Sequence, residues 1–142
     1  MALQFNPLLL GANGLPLSLV STVMMGTSRT IKVFPSTIPF PSVCPTNTTG
    51  LPAGHILTYT NMNFSATLTP GYIVINGATG TSAAATAAGT LSWMAYSNGT
   101  GAVAMFLTDS IVMSGGNGVL SVNTLTPSNG QTVTISFALK FT

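Results

Sequence analysis

Few residues in this chain could do acid–base or nucleophilic chemistry. In 142 residues there is one carboxylate side chain, Asp109, one imidazole, His55, and one thiol, Cys44. A glycosidase needs two carboxyl groups flanking the scissile bond, and Asp109 could meet a second only across an oligomer axis. A thiolate nucleophile needs a base, and only His55 is on offer. Cys44 lies in Pro41-Ser42-Val43-Cys44-Pro45 and reads as a small hydrophobe rather than a reactive centre. A lone cysteine makes no intrachain disulfide. His55, Cys44 and Asp109 show no metal-ligand spacing. Asp109, in Leu107-Thr108-Asp109-Ser110-Ile111, has the setting of a turn former. The stretch from Gly77 to Gly89 has no lysine and no phosphate-cradling pattern. The expectation is a chain with no catalytic residue, no cofactor and no metal, and therefore no enzyme.

The charge inventory is equally short. Lys and Arg number 3 and Asp and Glu 1, for a net charge of +2. Arg29, Lys32 and Lys140 are too few to neutralise a run of phosphates, so no nucleic-acid partner is expected. Arg29 and Lys32, either side of Ile31, read as solvated charges on an edge strand that discourage stray pairing. The other reading is a contact to an acidic neighbour in an assembly. Polarity comes instead from Ser, Thr, Asn and Gly. Mean hydropathy is +0.55, yet the best apolar run, Leu15 to Met25, is interrupted by Pro16, Ser18, Ser21 and Thr22 and is too short to span a bilayer. No membrane helix is expected. No basic residue precedes the first apolar stretch, so no secretory leader is expected either. On that ground the sequons at Asn47, Asn63 and Asn98 read as chance matches. A soluble monomer normally intersperses ions over its surface. A chain with so few is expected to self-associate or to dock on a larger particle, as a homo-oligomer or assembly subunit.

The elements that must position these residues read as strands and turns. Val133, Ile135, Phe137, Leu139 and Phe141 alternate with polar or small residues, as in a strand with one face on a core. Thr90–Tyr96 and Ala102–Leu107 flank Asn98-Gly99, a hairpin signal. Ile111–Met113 and Val119–Val122 flank a glycine-rich loop and read as a second hairpin. Thr126 to Gly130 turns into the last strand. Upstream, Leu15–Met25, Arg29–Phe34, His55–Thr69 and Gly71–Ile75 are candidate strands. Residues 78–89 are small and low in complexity. They read as a closely packed loop, with a short helix over Ser82–Ala88 as the alternative. Prolines at 35, 39, 41, 45 and 52 mark residues 35–53 as a connection, not a central strand. Residues 1–14 read as an extended arm. Arm and proline-rich segment are both candidates for reaching onto neighbours. The whole is expected to be one domain over 1–142, all-β, an antiparallel β-sandwich (jelly-roll or immunoglobulin-like) of about eight strands.

Trp93 and Ala95 share one strand face, Met94 and Tyr96 the other. Core packing is the default for Trp93. An exposed aromatic cluster for sugars or receptors is the alternative.

The last two-fifths of the chain, from Ala83 to Thr142, resembles small β-rich virion proteins of tailed bacteriophages. The features are the tract ending Ala88-Gly89-Thr90-Leu91-Ser92-Trp93, the glycine-centred hairpins, and the final Gly130-Gln131-Thr132-Val133-Thr134-Ile135-Ser136-Phe137 strand. The resemblance implies a non-enzymatic structural subunit. It would be a head decoration (cement) protein or a neck or tail accessory, made in the bacterial cytoplasm and residing in the virion. Its partners would be major capsid or neck and tail proteins. It carries over no catalytic residue. The alternative is a tail-fibre or receptor-binding module for host glycans.

Overall fold

The computed structural model describes residues 3–5, 26–69, 72–77, 81–97, 105–116 and 118–141. Among these the chain is strand and turn, with one 3-10 turn at Thr48–Gly50 and no α-helix. The described strands are β1 (Leu3–Phe5), β2 (Gly26–Pro35), β3 (Leu57–Thr69), β4 (Tyr72–Gly77), β5 (Thr81–Ala84), β6 (Leu91–Ser97), β7 (Met105–Thr108), β8 (Ile111–Met113), β9 (Leu120–Val122) and β10 (Thr132–Phe141). The described residues are all-β, in two open sheets. One runs β1-β7-β6-β2-β3-β4 and continues into the second half of β10. The other sets the first half of β10 between β5 and β9, with β8 outside β9.

β10 therefore belongs to both sheets. Val133, Ile135 and Phe137 are buried while Thr132 and Ala138 are exposed, so the expected alternation holds through the described part of the strand. With Ile31 and Val33 of β2, Leu57 and Tyr59 of β3, Met94 and Tyr96 of β6, Phe106 of β7 and Leu120 and Val122 of β9, they form the inner core. This core draws side chains from both sheets. Tyr59 links them directly, its hydroxyl donating to the Val133 carbonyl at 2.8 Å.

Two bulges tune which side chains face it. Between the pairs Phe34↔Trp93 and Pro35↔Leu91, β6 advances two residues and β2 one. The extra residue, Ser92, puts Leu91 on the inner face although Trp93 lies on the outer. A second irregularity between Ile31↔Tyr59 and Arg29↔Met62 brings Met62 into the same core.

Several expectations are corrected. β8 and β9 do not form a hairpin but pair in parallel, Ile111 with Leu120 and Met113 with Val122. Parallel neighbours usually need a long crossover. Here three-residue strands and glycines shorten it. A Cβ on Gly118 would lie 2.8 Å from both Val112 Cγ atoms, and one on Gly116 3.3 Å from Val112 Cβ. The loop thus passes straight over the Val112 side chain, and Ser110 receives it: its carbonyl accepts Leu120 N–H at 3.0 Å and its Oγ accepts Val119 N–H at 3.1 Å. Residues 81–84 are neither loop nor helix but strand β5, antiparallel to Thr132–Ile135, with Ser82 and Thr134 hydroxyls 2.9 Å apart. β2 is not an edge strand, because it lies between β3 and β6. Within the arm, Leu3–Phe5 pairs with this chain's own β7, Leu3 opposite Thr108. The candidate strand Leu15–Met25 and the Asn98-Gly99 turn lie outside the described residues, although β6 and β7 pair antiparallel as a hairpin requires.

Candidate functional site

β6, β7 and the Val33–Pro35 end of β2 are buried on both faces. On the outer face Phe34, Trp93, Ala95, Met105 and Leu107 form a second core with Cys44. Its cover is the proline-rich segment, which folds back on the sheet and packs Ile38, Phe40 and Leu51 against the cluster. Proline cannot donate to a ladder, so this segment crosses the sheet by side chains instead of extending it.

Trp93 is the centre of the cluster. It is fully buried, stacked on Phe34 with ring centroids 3.9 Å apart and an interplanar angle of 3°, and meets Phe40 edge-on at 5.6 Å. Its Nε1–H donates to the Ile38 carbonyl at 2.8 Å. A buried indole N–H needs such a partner, and here the partner belongs to the cover. Tyr96, on the opposite face, stacks on Phe106 at 5.0 Å. Neither ring of the sequence-derived sugar-binding alternative is on the surface.

The chemically capable residues are placed as follows. Cys44 is buried, with Sγ directed to the Pro45 and Met105 carbonyls at 3.5 and 3.9 Å. Desolvation pushes its pKa to about 11, so the thiol stays protonated at neutral pH. His55 is half-buried and edge-on to Phe34 at 5.9 Å. Burial, then the charge of Lys32, lowers its pKa below the usual histidine value. Cys44 thus lies within the outer cluster beside Met105, and His55 borders it at Phe34. Asp109 is exposed in the turn after β7, where the buried Thr108 hydroxyl accepts Ser110 N–H at 3.1 Å. Among the described residues no three His, Cys, Asp or Glu side chains come together in a metal-binding group.

Arg29 is not a solvated edge charge. It is half-buried, and its guanidinium donates to the Tyr96 hydroxyl. Burial raises the Tyr96 pKa to about 12, against the opposing pull of Arg29. Burial likewise raises that of Tyr59. Asn47, the first sequon residue, caps the 3-10 turn by accepting the Thr49 N–H at 3.1 Å and also bonds the Thr49 hydroxyl.

Sequence reasoning missed the cover. The signal was present in Leu91-Ser92-Trp93-Met94-Ala95-Tyr96, a strand with bulky side chains on both faces. Such a strand needs a layer on each side. No described helix is long and apolar enough to cross a membrane. No protein-family model, no curated protein and no solved structure matches the chain.

Proposed function

We propose that this protein is a non-enzymatic structural subunit of a bacteriophage virion. It docks on capsid or neck and tail neighbours and stabilises the particle, with head decoration the favoured position. One observation carries the reading: 4 of 142 side chains are charged, Lys and Arg 3 and Asp and Glu 1. Water-facing surfaces of free proteins are rich in ions. A surface built from hydroxyls, amides and apolar groups suits one covered by other subunits. The thiol and imidazole support the same reading: Cys44 is desolvated and held protonated, and His55 packs on an aromatic ring. The two sheets would serve as the layers of a sandwich, antiparallel but for the β8–β9 pair, jelly-roll or immunoglobulin-like, because one core takes side chains from both. Docking of this kind usually buries about 1,200–2,000 Å² per interface. The glycan-binding alternative is weaker, since Trp93 and Tyr96 are buried.

The test is quantitative mass analysis of gradient-purified virions from infected cells that produce this chain. Decoration predicts copies in proportion to the major capsid protein. About six to twelve copies, set by the neck or tail symmetry, would place it there instead. Absence from the particles would overturn the proposal.

A further inference from the structure

We infer that residues 36–55 form a strap that opens as one unit, uncovering the aromatic outer face of β2, β6 and β7 while both sheets stay paired. The inference stands apart from the virion reading. The strap leaves β2 and re-enters at β3, and these strands are antiparallel neighbours, Val33 opposite Leu57. Its two ends are therefore side by side, fixed by Ser36 N–H to the Thr90 carbonyl at 2.8 Å and Ile56 N–H to the Val33 carbonyl at 2.9 Å. It can swing without moving either strand.

Between these anchors it is tied differently from a sheet strand. Two of its backbone hydrogen bonds close its own turns, Gly50 to Asn47 and Leu51 to Thr48, and a third, Ile38 to Pro35, turns it off the end of β2. Its hold on the sheet includes the Trp93 Nε1–Ile38 bond and the seating of Ile38, Phe40, Cys44 and Leu51, of which only Cys44 is buried outright. Prolines 39, 41, 45 and 52 stiffen it, so it moves as a piece rather than fraying. Gly54, at φ 105° beside Ile38 Cδ1, supplies the left-handed turn at its exit. Beneath lie Phe34, Trp93, Ala95, Met105 and Leu107, none more than 3% exposed. Their strands remain held by the ladder and by the inner core on the other face. A segment with few buried groups over a well-buried sheet is where local opening occurs first.

Cys44 reports the motion. In the full-length chain, labelling by a disulfide reagent such as dithiobis(nitrobenzoate) is followed against urea. The strap predicts labelling at least about tenfold faster than global unfolding allows, and independent of urea below the unfolding transition. Phe40→Ala, which loosens only the strap, should raise that rate about tenfold. Ile135→Val, in the inner core, should lower the urea midpoint and leave the rate unchanged. Hydrogen exchange should show strap amides exchanging ahead of those of β6. Labelling that rises with urea from the outset, accelerated equally by both substitutions, would overturn the inference. So would equal protection of strap and β6 amides.

Discussion

The inner and outer cores share β2, β6 and β7 but are built on different terms. Among the described residues the inner core holds seventeen buried side chains from both sheets, the outer six. Backbone ladders surround the inner one, and a buried Tyr59–Val133 hydrogen bond crosses it. The outer one is closed by a proline-rich segment that packs part-exposed side chains on an aromatic stack. A sheet can thus be stabilised on both faces while only one face is sealed by cooperative structure. The other is covered by a piece that contributes apolar burial but little ladder.

Substitutions in the two cores should separate them. Phe106→Ala removes a ring stacked on Tyr96 and packed near Phe137, and should lower stability by about 3–5 kcal/mol in urea unfolding. Phe40→Ala, on the half-exposed cover, should lose about 1–2 kcal/mol. Equal losses would erase the distinction. Next in size, Tyr59→Phe removes the buried hydroxyl's bond to the Val133 carbonyl and should cost about 1–2 kcal/mol. Gly54→Ala places a Cβ at a backbone φ of 105° and 2.8 Å from Ile38 Cδ1, and should cost about 1–2 kcal/mol, read as a lowered melting temperature.

The smallest effects are in pH. The folded-state pKa of Cys44 is raised from 9.0 to about 11. Above pH 9 the unfolded chain therefore loses this proton first, and stability falls as pH climbs toward 11. Cys44→Ala should remove that early part of the alkaline loss and leave the later part, set by the raised pKa values of Tyr96 and Tyr59. His55 has the opposite sense. Its folded pKa is lowered from 6.5, so stability falls as pH drops below 6.5. His55→Gln should flatten that acid slope in melting curves taken between pH 7 and 5.

Legibility in the sequence followed the reach of each signal. Val133, Ile135 and Phe137 declare their face because alternation is local and one side is buried. The pairing of β6 with β7 was readable from two apolar runs either side of Asn98-Gly99. The parallel β8–β9 pair was not. Three-residue strands around a glycine-rich loop look the same in either direction, and the choice rests on Gly116 and Gly118 passing over Val112. Thr81–Ala84 lacks the bulky residues that mark a strand, and is one because β10 lies beside it. Of the site, the isolation of Asp109, His55 and Cys44 in type was plain from composition. That Cys44 joins and His55 borders one aromatic cluster depends on the strap folding inward, which proline spacing alone does not encode.

A surface with so few ions is made for contact with protein. Sedimentation equilibrium of the purified chain, from micromolar to millimolar, addresses it directly. A surface made for protein contact gives a weight-average mass that climbs above 14.5 kDa with concentration. A single species of 14.5 kDa across the whole range would contradict it.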